Sequence, residues 1–434
     1  MKRRSFIYFS SILSISVFAR PLSRLLNKSN NILSNNHILK DPYKLIDIHK
    51  SLSYKMISKK GSEMSDGFLV PGSADGMGSF SIRNHTVLVR NHELGRNSGR
   101  LLGPFKNPSL QAKKLGTKHY DKKAFGGTTN VVIENETNKV VNEFLSLSGT
   151  MANCAGGVTP WNTWLTCEEK ISKKTKNKVS HGYVFEVDPR KNMLQNPVPL
   201  IKMGRFKHEA VSFDKYGNAY LTEDREDGLI YKFVPKTKHS LMEGELFALR
   251  IDVKDSRNWK ENKILKNQKL KVEWIKMEDV DPDSDTLRTE GQKKGATIFA
   301  RGEGITHDGN SLFICCTSGG KFKKGQIWKL TPNEKKETSL ELWYEVQNDD
   351  LMNMPDNLAI APWGDLIVCE DNSKINRLWG ITPAGFTYLI AENNYTGAEF
   401  AGACFSANGK TLFINLQQNG ETISIHGDWK RVRA

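Results

Sequence analysis

Three stretches of this 434-residue chain carry residue types able to hold metal ions, at one common spacing. They are NCAGGVTPWNTWLTCEE (153–169), HEAVSFDKYGNAYLTED (208–224) and PDNLAIAPWGDLIVCED (355–371). In each, a candidate ligand near the start lies 14 positions before a carboxylate near the end: Cys154 and Glu168, Glu209 and Glu223, Asp356 and Glu370. Carboxylate oxygens select hard cations, calcium above all, with iron or manganese also open. A thiolate among them points to a transition metal at one position. Cys167, Cys315 and Cys369 fall in or beside second strands, where cysteine is usually a small buried hydrophobe; Cys154 instead occupies the position of Glu209, Glu303 and Asp356. His92 and His208 could add nitrogen, although each is more readily a supporting hydrogen-bond partner. The competing account of the acids is ion pairing with arginines such as Arg225.

Holding such ligands together is a task for hairpins. Two antiparallel strands joined by a tight turn bring their open ends together, so the start and end of each stretch share one edge. Weaker copies begin at Gly76, Gly302 and Phe400, giving six units whose second strands place Val89, Leu165, Leu221, Ile314, Val368 and Ile414 in register. Four units continue into a further strand ending in proline: GYVFEVDP, GLIYKFVP, GQIWKLTP and LWGITP. Irregular intervals and turn-rich strands indicate an all-β, six-bladed β-propeller with inserted loops. The charged segment 252–295 is expected as part of one blade plus a surface insertion. The acids Glu93, Glu168, Glu169, Glu209, Glu223, Asp224, Glu303, Asp356, Glu370 and Asp371 then fall on one face of the ring. Packed about a narrow axis they would repel strongly unless cations stood between them.

The chain opens with Lys2-Arg3-Arg4-Ser5-Phe6 and a short apolar run to Phe18, which reads as a twin-arginine export signal with cleavage after Ala19. The run is too short and too polar for a comfortable transmembrane helix. Residues 1–19 are therefore assigned as signal, 20–60 as a polar leader or ring-closing strap, and 61–434 as the propeller. The expected location is the periplasm, with the twin-arginine translocation machinery as a partner and no stable membrane span after cleavage. A propeller needs no partner to close, so a monomer is expected. The formal net charge is +15. Its lysines cluster in loops without any nucleic-acid-binding signature, so solvated loops or a basic rim that attracts anions account for it better than nucleic acid.

CAGGVTPWNTWLTCEE, GRFKHEAV, YLTEDREDGLIYKFVP, Arg301-Gly302-Glu303-Gly304, MPDNLAIAPWGDLIVCED and EFAGACFSANGKTLFINLQ resemble, in order, the motifs of the PhoX family of alkaline phosphatases. The resemblance implies a six-bladed propeller exported by the twin-arginine route, hydrolysing phosphate monoesters and often diesters with a cluster of Fe3+ and Ca2+. It implies that Cys154 binds iron, that Glu303 is a catalytic metal ligand, and that Arg301 holds the substrate phosphate, aided by Arg225 or Lys321. Glu168, Glu169, Glu209, Glu223, Asp356, Glu370 and Asp371 complete the expected ligand set. Gly302 departs from the family pattern, in which a bulkier residue is common there, and the chain is compact beside many members. Two other classes stay open on sequence alone: a calcium-dependent lactonase-type propeller hydrolase, and a non-catalytic binding propeller.

Overall fold

A computed structural model describes residues 32–33, 37–97, 99–107, 113–172, 175, 178–261, 263–333, 337–348 and 350–433. The export signal and its cleavage position lie outside the described residues. Six separate sheets, antiparallel apart from the parallel pairing of Ile32–Leu33 with Thr387–Asn393, stand around one axis, and their first strands adjoin one another in a closed circle. The first strands are Ala74–Ile82, Asn153–Val158, His208–Phe213, Gly302–His307, Pro355–Ile360 and Phe400–Phe405. Each turns sharply into a second strand: His85–His92, Trp164–Glu168, Ala219–Glu223, Leu312–Cys316, Leu366–Glu370 and Thr411–Leu416. The turns carry the chemistry the sequence promised. Asp214 accepts from the amides of Tyr216 and Asn218, and Gly217 takes φ 91°, a left-handed conformation that costs glycine little.

Second strands are short and almost wholly buried because each blade is packed on both faces by its neighbours. The hydrophobic core is accordingly a set of seams between blades. Leu165, Cys167 and Val184 of the second blade meet Val211, Leu221 and Phe233 of the third, while Phe313 and Ile327 of the fourth meet Val368 and Trp379 of the fifth. The segment 252–295 does more than decorate one blade. Glu273–Lys276 is the outer strand of the third blade, and just before it Lys269–Lys271 pairs with the outer strand of the fourth.

The expected boundary at residue 61 moves. Leu52–Lys59 pairs antiparallel with Glu421–Gly427 and completes the sixth blade, while Asp47–His49 and Ile38–Leu39 extend the fifth. The presumed strap is therefore part of the propeller. Arg90 locks this junction. Wholly buried, it donates to Ser58 of the closing strand (2.8 Å), Thr422 of the last (2.6 Å), Thr129, and Glu143 (2.8 Å). Removing one partner of such a buried pair costs about 3–5 kcal/mol. Arg90→Met is predicted to lower the unfolding free energy by that order, read as a lower denaturant midpoint at an unchanged slope; a loss below about 1 kcal/mol would refute the lock.

Candidate metal centre

The same local distortion recurs in every blade and determines which side chains reach the axis. Near the start of each first strand, two residues oppose a single residue of the second: Asp75-Gly76, Cys154-Ala155, Glu209-Ala210, Glu303-Gly304, Asp356-Asn357 and Gly402-Ala403. Such a bulge re-aims its first side chain. In five of the six blades the residue after it is glycine or alanine, Asn357 being the exception, and the next blade lies against it: a Cβ on Gly76 would sit 2.5 Å from the Ala155 Cα, and one on Gly304 2.6 Å from the Asp356 carbonyl oxygen. One end of the axis thus receives Asp75, Cys154, Glu209, Glu303 and Asp356.

A second tier sits beside the first. In all six blades the amide following the second strand donates to the carbonyl preceding the first: Glu93 to Ser73, Glu169 to Ala152, Asp224 to Lys207, Thr317 to Arg301, Asp371 to Met354 and Gln417 to Glu399, at 2.8–3.2 Å. Four of these acceptor residues, Ser73, Ala152, Arg301 and Met354, have φ between 46° and 51°. That backbone costs a non-glycine residue about 1–3 kcal/mol and marks sites where local geometry is fixed by its surroundings.

Ligand atoms of Cys154, Glu169 and Glu209 lie within 4.8 Å of one another, and so do those of Glu209, Glu303 and Asp356. Glu209 belongs to both groups. Two like charges at that separation repel by about 3 kcal/mol at an effective dielectric constant of about 20. Protons show the strain. Burial and then the charges of Asp371 and Asp75 push Asp356 up to about 8. Asp75 rises to about 7, chiefly through burial. Burial, followed by neighbouring carboxylates, also holds Glu209, Glu303, Glu93 and Glu399 well above the ordinary range. The Cys154 thiol is raised in the same way. Two cations offset part of the charge. Lys207 bridges Glu169 (2.6 Å) and Asp224; Arg301 binds Asp224 through Nε (2.8 Å) and Glu303 through Nη2 (2.6 Å), with Nη1 3.8 Å from Asp371. Burial raises Asp224, but Arg301 and Lys207 outweigh it and hold its carboxyl below the usual value. Oxygen donors in excess, one buried thiol and unrelieved negative charge fit multivalent metal ions.

Four expected ligands are not in these groups: Asp371 stays at the axial end, 3.8 Å from Arg301 Nη1, while Glu168, Glu223 and Glu370 are engaged elsewhere. Glu168 accepts from the amides of Met151, Gly182 and Tyr183 and from His181 Nδ1. Glu223 accepts from the Leu229 amide and the Tyr231 hydroxyl, and Glu370 from the Asn353 amide and Trp379 Nε1. Each pairs directly across its hairpin with the residue before the bulge, so it faces the blade's own loops; the following residue, Glu169, Asp224 or Asp371, takes the other face. Arg225 and Lys321 also differ from expectation. The Arg225 guanidinium binds Asp285 (2.6 Å), and exposed Lys321 lies over the Phe322 ring. His92 and His208 are buried hydrogen-bond partners of the Gly72 and Gly204 carbonyls. Asp75, Glu399 and Lys207 were missed, although carrying each repeat one or two residues upstream would have reached all three.

A six-bladed propeller that gathers carboxylates, one thiol and an anchored arginine at one end of its axis has the makings of a metal-dependent hydrolase. The family model for alkaline phosphatase PhoX matches residues 33–144 and 136–420, and the chain belongs to that family, a metal-dependent group of phosphoric monoester hydrolases. Among solved structures, Pseudomonas fluorescens PhoX in complex with vanadate, a transition state analogue, superposes with a TM-score of 0.66 at 18% identity, over 88% of this chain and 96% of that one. A gluconolactonase from Xanthomonas campestris gives 0.42 at 8% identity, over 87% and 95%. No curated protein matches by sequence.

Two predictions follow from this geometry. Glu209→Gln should release bound metal as read by elemental analysis, whereas Glu223→Gln should keep it; equal loss from both would contradict the division of the acids. In metal-free protein, the Asp356 and Asp75 carboxyls keep protons up to about 8 and 7, while the unfolded chain releases them near about 4. The folded state therefore holds more protons across that window, and stability falls as pH rises through it. Metal-free protein should melt lower at pH 8 than at pH 5, and saturating metal should narrow the gap; a flat profile without metal would overturn the electrostatic account.

Proposed function

We propose that this protein hydrolyses phosphate monoesters, with diesters as further substrates, at a centre containing iron and calcium, after folded export to the periplasm. The observation that carries the reading is the pair of ligand groups sharing Glu209, with Arg301 tethered beside Glu303. The vanadate bound by the Pseudomonas fluorescens relative supports a phosphoester-type substrate. Cys154 and the Glu169–Glu209 pair suit iron; the all-oxygen group Glu209, Glu303 and Asp356 suits calcium. When bound, such ions supply Lewis acidity towards phosphate oxygens and water. The twin-arginine sequence at Arg3-Arg4 supports the route of export.

The chain's own contribution is orientation and charge. Arg301 is held through Nε and Nη2 by Asp224 and Glu303, which leaves Nη1 as its most available edge for an equatorial phosphate oxygen. Lys207 fixes Glu169 relative to Asp224. Attack by water forms the new P–O bond while the ester P–O bond breaks, and the alcohol leaves with a proton. No side-chain nucleophile is needed: Cys154 Sγ is buried and lies 3.3 Å from the His208 carbonyl oxygen, with a thiol pKa raised by burial. Protein loaded with iron and calcium should release inorganic phosphate from an aryl phosphate. Glu303→Ala should abolish that release, and Arg301→Ala should lower kcat/KM by about 100-fold, in line with loss of a charge-stabilising donor. Undiminished turnover after chelation would sink the proposal, and calcium as the sole bound metal would favour a lactonase-type reaction.

A further inference from the structure

Both cations of the metal centre, Lys207 and Arg301, are committed to carboxylates. Further positive charge, Lys321, Lys323 and Lys324, is carried by the loop 317–325. Both ends of this loop are fastened to the centre. The Thr317 amide donates to the Arg301 carbonyl (3.0 Å), and the Lys324 carbonyl accepts from the Met354 amide (2.8 Å), two residues before Asp356. The neighbouring segment pins its middle: the Gly320 amide donates to the Arg257 carbonyl (2.9 Å) and Trp259 Nε1 to the Ser318 carbonyl (2.6 Å). On the exposed crest, Lys323 is held at φ 54°, with its ammonium 4.3 Å from the centre of the Trp259 ring. The Arg257 guanidinium lies 4.2 Å from the same ring. Arg257 is paired with Asp255, but among the described residues neither Lys321 nor Lys323 has an acidic partner.

We propose that Lys321 and Lys323, carried on this fastened loop against Trp259, form a lip that binds a second phosphate group on the leaving-alcohol side of the ester. The inference rests on the phosphatase reading and names its preferred substrates as esters bearing two phosphates. With Lys323 set against Trp259 on a loop fastened at both ends, a dianion is attracted without ordering a flexible loop, and added salt weakens that attraction.

The test compares fructose 1,6-bisphosphate with glycerol 3-phosphate, whose alcohol is uncharged, using metal-loaded protein with wild-type Lys323, Lys323→Glu or Lys323→Arg. The charge reversal should lower kcat/KM for the bisphosphate about tenfold, mainly through KM, and leave glycerol 3-phosphate within about twofold, with Lys323→Arg retaining the preference. High salt should reduce the wild-type preference. An equal fall for both esters, or none for the bisphosphate, would overturn the lip. Calorimetric binding of the two esters separates this from the broader reading. If neither is hydrolysed, the phosphatase proposal fails, while tighter binding of the bisphosphate that Lys323→Glu removes still supports the lip, and equal binding overturns it.

Discussion

Mutual repulsion among buried acids is the constraint around which this propeller is arranged. Asp75, Glu93, Glu169, Glu209, Asp224, Glu303, Asp356, Asp371 and Glu399 converge on one end of the axis, where Lys207 and Arg301 are the cations that pair with them among the described residues. Burial makes that convergence costly to the charged forms. The rest of the fold resists relaxation: six hydrophobic seams hold the blades, and a hydrogen bond in every blade ties the end of its hairpin to the start. Multivalent ions can then be bound by a cage that already exists, rather than by one they must assemble.

Sixfold regularity in the backbone contrasts with variety in the side chains. Each blade supplies a bulge, yet the sixth places Gly402 there, at φ 64°, and the second places a thiol. Repetition gives positional accuracy at low cost in sequence, while substitution within the repeat sets the chemistry of each slot. The positive-φ residues before four of the blades follow the same logic, since strain is tolerated where neighbouring strands determine the conformation.

The blades were legible in the sequence because turn residues and short apolar second strands recur with little disguise, as in Asp214 to Gly217 and Leu366 to Glu370. Which acid faces the axis was less so. A strand alternates faces at every residue, so a one-residue slip reverses the assignment. Counting 14 positions linked Cys154 to Glu168 when the axial neighbour is Glu169, because the bulge inserts a residue that no sequence feature announces. Asp75, Lys207 and Glu399 each stand one residue upstream of where their repeats begin, at Gly76, His208 and Phe400. The family resemblance supplied Arg301 and Glu303 without supplying what holds them. Arg225 illustrates the limit: proximity along the chain to Asp224 gave no hint that Asp285, 60 residues away, takes its guanidinium.

Closure of the sixth blade by Leu52–Lys59 also bears on how the protein comes into being. The partner strand Glu421–Gly427 lies far downstream in the chain, so a growing chain stays an open arc until that strand has been made. Joining segments this far apart carries a large loop entropy and makes ring completion a late, concerted event. A polypeptide truncated before residue 421 would leave its front strand without a mate.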